Sequence, residues 1–222
     1  SSIIFNTAKI FNLKPNKVVN ICAAVECIHS YSLIHDDLPC MDNDNLRRGK
    51  PSTHKKFGES TAILAGNSLL TLAFEIITDK KYKIKSSIKV IILKKLAECA
   101  GHTGIAGGQF LDLDYENKKV QASKIISMQK KKTGKLFEFC CLAPAILSGA
   151  SKKTKKDMSF IGKEIGFLFQ ISDDLLDITG NKISVGKPVH SDKKKGKSTL
   201  IRLLGYNKTL KFALRTKKTI MN

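Results

Sequence analysis

Tryptophan is missing from this 222-residue chain, proline occurs only five times, and 19 acidic residues stand against 39 basic ones. Arginine is scarce as well, at four positions against 35 lysines, a bias that reads as genome composition more than function. No run of 18 apolar residues exists, so no transmembrane span and no stable membrane insertion are expected. The six cysteines (Cys22, Cys27, Cys40, Cys99, Cys140, Cys141) form no CxxC pair and sit in apolar contexts. They fit reduced core thiols of a cytosol-like compartment better than a disulfide frame or a zinc site. The chain starts with Ser1 rather than Met, already inside an apolar-periodic segment. An incomplete N-terminus is expected; the location is read as cytoplasmic, with an organellar targeting segment left open.

The formal charge of +20 invites a nucleic-acid reading. Yet the lysines are scattered in short clusters, such as Lys152-Lys153 and Lys193-Lys194-Lys195, and none alternates with stacking aromatics. Most read as solvated helix faces, and no nucleic-acid partner is expected. Against this background two acidic clusters stand out, Asp36-Asp37-Leu38-Pro39-Cys40-Met41-Asp42 and Asp173-Asp174-Leu175-Leu176-Asp177, more than 130 positions apart. Carboxylates so close repel one another unless a cation holds them. Carboxylate oxygens with few His or thiolate companions suit a hard divalent ion, Mg²⁺ before Zn²⁺, and Mg²⁺ leaves coordination positions for substrate phosphate. Arg47-Arg48-Gly49-Lys50 follows the first cluster directly, so half of the scarce arginines sit beside it. The guanidinium fork matches phosphate in a way that Lys does not, although a solvated mixed-charge loop is the plainer alternative.

With 42% hydrophobic residues the chain can bury one sizeable core, and a single all-α domain over residues 1–222 is expected. Apolar spacings of three and four predict helices over Lys17–Asp37, Glu59–Thr78, Ser86–Leu113, Ala122–Leu147, Lys155–Thr179 and Thr199–Lys217, and no strands. Pro144 should kink the fourth of these. Four residues separate Asp173 from Asp177, about 40° around a helix, so they share a face, with Gln170 near it. Asp36 and Asp42 share no helical face; a bulge or helix end around Pro39 could bring them to one ion. His29 lies on the stripe of Asp36, roughly 10 Å away along the helix, and reads as a phosphate donor or as a half-buried structural residue. Lys132-Thr133-Gly134 suits phosphate contact but is a triplet that chance also supplies. Gly107-Gly108-Gln109 is unusual inside a helix, where glycine costs about 1 kcal/mol relative to Ala, and close packing explains it as well as ligand access does. Gly196-Lys197-Ser198-Thr199 lacks the upstream glycine and strand of a Walker loop.

The run from His29 to Pro51, with its Asp box and Arg pair, resembles the first aspartate-rich motif of trans-isoprenyl diphosphate synthases, and Phe169–Asp177 resembles the second. Gly107-Gly108-Gln109, Asp112-Leu113, Lys132-Thr133-Gly134, Gly186-Lys187 and Gly196–Thr199 fall in matching order, so the resemblance covers essentially the whole chain. Bacterial farnesyl diphosphate synthases are most similar, and plant-type geranylgeranyl diphosphate synthases come next. The resemblance implies a helical bundle of the isoprenoid synthase type, with the boxes facing each other across a central cavity. It also implies a Mg²⁺-dependent prenyltransferase, commonly a homodimer, that joins isopentenyl diphosphate to dimethylallyl or geranyl diphosphate. It assigns three Mg²⁺ ions, with Asp36, Asp42 and Asp173 as principal ligands and Asp37 and Asp177 acting through water or hydrogen bonds. Arg47, Lys132, Thr133, Gln170, Lys187 and Lys197 would contact the allylic diphosphate, and His29 and Arg48 the diphosphate of isopentenyl diphosphate.

The family's upstream Gly-Lys-x-x-Arg segment would precede Ser1, so the chain is expected to lack the N-terminal helices and to be shortened at its C-terminus. Asn45 stands where Asp is common, and Pro188 and Ser191 alter the loop after Lys187. By the same resemblance Tyr31 and Ser32 form the floor of the tail pocket, which predicts farnesyl diphosphate as main product and geranylgeranyl diphosphate as runner-up. Two other readings are weaker. A non-catalytic partner subunit has no need of intact Asp boxes, and a terpene cyclase usually replaces the second box and lacks the Arg pair.

Overall fold

The structure, a computed structural model, describes residues 1–179 and 197–221; Lys187, Pro188 and Ser191 lie outside them. Helices carry the architecture, as the periodicity predicts. After α1 (Ser2–Ile10) and a 3₁₀ turn (Pro15–Lys17) come α2 (Val19–Asp36), α3 (Thr53–Phe57), α4 (Glu59–Thr78), α5 (Ser86–Ala100) and α6 (Ile105–Asp114). Then follow α7 (Ala122–Gln129), a π-helical stretch (Lys130–Gly134), α8 (Lys135–Leu147), α9 (Lys152–Thr179), α10 (Leu200–Leu204) and α11 (Tyr206–Met221).

The expected helix Ser86–Leu113 is in fact two. A Cβ on Gly104 would lie 1.9 Å from the Cys99 carbonyl oxygen, so the chain folds back over the end of α5 where only glycine fits. The expected helix Thr199–Lys217 breaks likewise, at Gly205 with φ +77°. The absence of strands also needs correcting. Leu46–Arg47 (β1) pairs antiparallel with Lys50–Pro51 (β2), turning through Arg48 at φ +53° and Gly49 at φ +76°. Two positive φ values in a two-residue turn are the type I′ signature, which Arg-Gly does not advertise as Asn-Gly would.

One buried cluster joins α1, α2, α4, α5 and α8 through residues such as Ile4, Ile21, Ile28, Ile77, Leu96 and Phe139. A second joins α7, α9, α10 and α11 through Ile125, Met128, Phe167, Ile171, Leu200 and Ala213. Their side-by-side packing leaves the ends of α2 and α9, the π stretch and α6 to form the polar site. Contrary to the count of apolar runs, α4 is long and apolar enough by length and composition to cross a membrane, with mean hydropathy 1.5. Asn67, Ser68 and Thr71 interrupt the run without polarising the helix. In the fold α4 lies against α2 and α3 with Ala62, Gly66, Ala73 and Ile77 buried.

Candidate active site

The first box begins where α2 ends. After Asp36 the chain coils back on itself: the Asp42 N–H donates to the Asp36 carbonyl at 2.8 Å, and Met41 and Asn43 both donate to the Leu38 carbonyl. The two carboxylates that no regular helix would align are thus drawn together by the turn, as the proline suggested. Asp37 has its own partner. It is 2% exposed and receives the Arg47 guanidinium, whose Nε stands 3.2 Å from both carboxylate oxygens while an Nη also donates to Oδ1. Asp44 lies 3.9 Å from the same guanidinium.

Four carboxylates and two ammonium groups meet beside this box. Lys197 Nζ is bonded at 2.8 Å to Asp42 and at 2.9 Å to both Asp112 and Glu116, so a residue 155 positions away closes the site. Lys132 Nζ donates to Asp112 at 2.8 Å. Burial opposes the charge of each ammonium, but Asp112 and its fellow carboxylates outweigh burial and raise both lysines above their ordinary pKa. The same pairs hold Asp112 below the usual carboxylate range against the effect of burial. Asp36 goes the other way: burial pushes it up to about 6, Lys132 offsets only part of that, and Asp42 adds to it. Asp112 was noted only as part of a matching motif and Glu116 not at all; Asp112 lies in the last turn of α6 and Glu116 just beyond its end, and their spacing of four was the available signal.

Lys132 and Thr133 sit on the π stretch, where one extra residue per turn rotates neighbouring side chains onto different partners. Lys132 reaches Asp112 and the first box, while the Thr133 hydroxyl donates to Gln170 Oε1 at 2.9 Å on α9. The stretch is seated against Gly108, where a Cβ would fall 2.2 Å from the Lys132 backbone nitrogen; close packing is the reason for that glycine. In the second box Asp173 and Asp177 are half-buried, whereas Asp174 is 2% exposed and accepts from Gln170 and Gln129, both at 2.9 Å. Gln129 was not singled out in the sequence, and nothing local marks it.

The remaining candidates scatter more widely. His29 is half-buried on α2; burial lowers its pKa, and the nearby charges of Arg48 and Arg47 lower it further. Arg48 is exposed at the hairpin turn. Tyr31 is buried, its hydroxyl 3.3 Å from the Ala100 carbonyl and its ring edge-on to His35. The Ser32 hydroxyl is taken up by the His29 carbonyl of its own helix. Among the described residues no three His, Cys, Asp or Glu side chains are gathered closely enough to hold a metal unaided. That suits Mg²⁺, which takes one or two carboxylates and fills its shell with water and phosphate. The donor set is hard oxygen, and Asp36 beside Asp42 is a buried carboxylate short of positive charge.

A polyprenyl synthetase family model matches residues 1–220. The chain belongs to the polyprenyl synthetase family. It is 40% identical over 214 residues to the farnesyl diphosphate synthase of Geobacillus stearothermophilus, covering 95% of this chain and 72% of that one. Identity is also 40% to geranylgeranyl pyrophosphate synthase 4 of Arabidopsis thaliana, over 90% of this chain and 54% of the relative. Among solved structures it superposes with TM-score 0.88 and 32% identity on a Helicobacter pylori geranyltransferase complexed with magnesium and isoprenyl diphosphate, covering 99% of this chain and 74% of that one. The chain spans 54 to 72% of the length of the curated relatives it matches. As a member of that family the chain is a prenyltransferase, and its helices have the isoprenoid synthase arrangement.

Proposed function

We propose that the protein condenses isopentenyl diphosphate with dimethylallyl or geranyl diphosphate, giving farnesyl diphosphate, with geranylgeranyl diphosphate as the lesser alternative. The carrying observation is the convergence of Asp42, Asp112 and Glu116 on Lys132 and Lys197, with Asp36 in the field of Lys132, beside an Arg47 held by Asp37. Together with divalent cations such a site would bind a polyanion and counter charge as it develops. Asp36, Asp42 and Asp173 would hold Mg²⁺, three ions in the family's pattern, with Asp37 and Asp177 supporting. When bound, Mg²⁺ would neutralise charge on the diphosphate oxygens.

Lys132 and Lys197 would steady the allylic diphosphate while its carbon–oxygen bond breaks and the electron pair leaves with oxygen. Thr133, Gln170 and Lys187 would contact the same diphosphate. His29 and Arg48 would hold the second diphosphate. The alkene then attacks the allylic carbon, and a proton passes to the released diphosphate; the apolar tail pocket keeps water from the cation. A homodimer is the proposed assembly, supported by the exposed Ile63, Leu64 and Leu72 of α4 and Val90 and Ile91 of α5. Incubating the protein with Mg²⁺, isopentenyl diphosphate and each allylic primer, then sizing the products, tests the reading. No chain elongation with any primer would overturn it.

A further inference from the structure

Three carboxylates share the Lys197 ammonium, and they differ in what else claims them. Asp42 Oδ1 stands at 2.8 Å and is a proposed Mg²⁺ ligand. Asp112 Oδ2 stands at 2.9 Å and also accepts from Lys132 at 2.8 Å. Glu116 Oε1, likewise at 2.9 Å, pairs with no other cation among the described residues. An ammonium offers three N–H groups, so a phosphate oxygen can bond Lys197 only where a carboxylate yields. Asp42 is the one that yields when a divalent ion takes it. The backbone of Lys197 is fixed meanwhile. Arg202 donates to its carbonyl at 3.3 Å, and the buried Ser198 hydroxyl donates to the Tyr115 carbonyl at 2.7 Å, with the Lys118 carbonyl 3.3 Å away. Those two carbonyls flank Glu116, so the turn that presents Glu116 is bonded to the segment that carries Lys197. What stays adjustable is the flexible four-carbon stem and the ammonium at its end.

We infer that Glu116 is a positioning residue: it keeps the Lys197 ammonium in the site once Asp42 turns to a divalent ion, so that the N–H given up by Asp42 meets the allylic diphosphate. Resting on the prenyltransferase reading above, this role makes the turn after α6 part of primer binding, through Lys197. Asp112 cannot do this alone, because Lys132 competes for the same Oδ2. The opposing possibility is that Glu116 merely competes with phosphate for Lys197. The two differ in sign, since removing an anchor weakens diphosphate binding and removing a competitor strengthens it.

Glu116→Ala decides between them. Titration calorimetry with inorganic diphosphate in excess Mg²⁺ should show Kd raised about tenfold, the loss of roughly one charged hydrogen bond. In turnover, KM for geranyl diphosphate should rise by about the same factor while that for isopentenyl diphosphate stays within about twofold. E116Q keeps an acceptor oxygen at the same reach without the charge and should fall between wild type and E116A. The metal-free Tm should move by less than roughly 3 °C, because an ion pair with a 30% exposed partner adds little stability. In a Lys197→Met background E116A should change Kd no further. An unchanged or lower Kd in E116A, equal rises in both KM values, or an undiminished effect beside K197M overturns the inference; should K197M not fold, the single variants decide alone. Wild type that binds magnesium diphosphate but elongates no primer sinks the functional reading and leaves the inference to the binding comparison. Wild type that binds no magnesium diphosphate overturns both.

Discussion

Asp36 is the residue whose removal should most clearly separate stability from function. Its carboxyl is pushed from 3.8 to about 6, burial being the chief cause and Asp42 reinforcing it. A carboxylate with a raised folded pKa holds its proton more tightly folded than unfolded. Its contribution therefore favours the fold below about 4, declines as pH rises from about 4 to about 6, and is a constant penalty above. About two pKa units at about 1.4 kcal/mol each set a ceiling of about 3 kcal/mol, and relaxation of Lys132 and Arg47 makes about 1–3 the working range. Asp36→Asn removes the charge at nearly constant volume. In excess EDTA at pH 8 the variant should melt later than wild type by roughly 2–10 °C, and the gap should fall to about half by pH 5 and close below about pH 4. Turnover with Mg²⁺ should meanwhile fall by several orders of magnitude, because a proposed ligand is gone. Thermal scans at both pH values and a steady-state assay read both effects. Equal or lower melting of the variant at pH 8 would refute the reasoning, since it would mean that the ionised carboxylate is already satisfied by its protein neighbours.

Three further outcomes follow from the geometry. Arg47→Lys keeps charge but loses the fork on buried Asp37, so it should chiefly impair the allylic substrate; Arg48→Lys, exposed at the turn, should chiefly raise KM for isopentenyl diphosphate, and identical effects on both substrates would discredit the division. Lys197→Met strips a buried cation from Asp42, Asp112 and Glu116 and should cost about 3–5 kcal/mol in denaturant unfolding, a loss under about 1 contradicting the bridge. Tyr31→Phe should keep product length while losing the bond to Ala100, whereas Tyr31→Ala should lengthen the products; unchanged lengths in the alanine variant would show that Tyr31 is not the stop.

Periodicity made the helices legible because each buries one stripe, and it failed where backbone packing intervened. The α5–α6 break depends on how closely Gly104 approaches the Cys99 carbonyl, and no apolar spacing encodes that approach. The π stretch is equally silent: Ala122–Leu147 reads as one helix, and the extra residue shows only in how Lys132 and Thr133 diverge to Asp112 and Gln170. The acidic boxes and the Arg pair were legible because like charges and rare arginines are costly to cluster without purpose. Gln129 was not, since a lone glutamine on an amphipathic helix signals nothing until Asp174 is found against it.

The charges explain why this site suits a diphosphate only in company. Asp36, Asp42, Asp112 and Glu116 set four negative charges against the two of Lys132 and Lys197, while Arg47 is matched by Asp37. The described cluster is therefore net negative when ionised, despite the +20 of the whole chain. A diphosphate approaching it alone would meet lysines already engaged by carboxylates. Divalent ions arriving with the substrate change that balance: carboxylates take the ions, and the ammonium groups are released to the phosphate oxygens. The raised pKa of Asp36 is the same deficit seen from the protein side, a carboxylate awaiting positive charge. Distant lysines can hold such a site folded when empty because each ammonium serves several carboxylates at once, which keeps the box ordered without filling it.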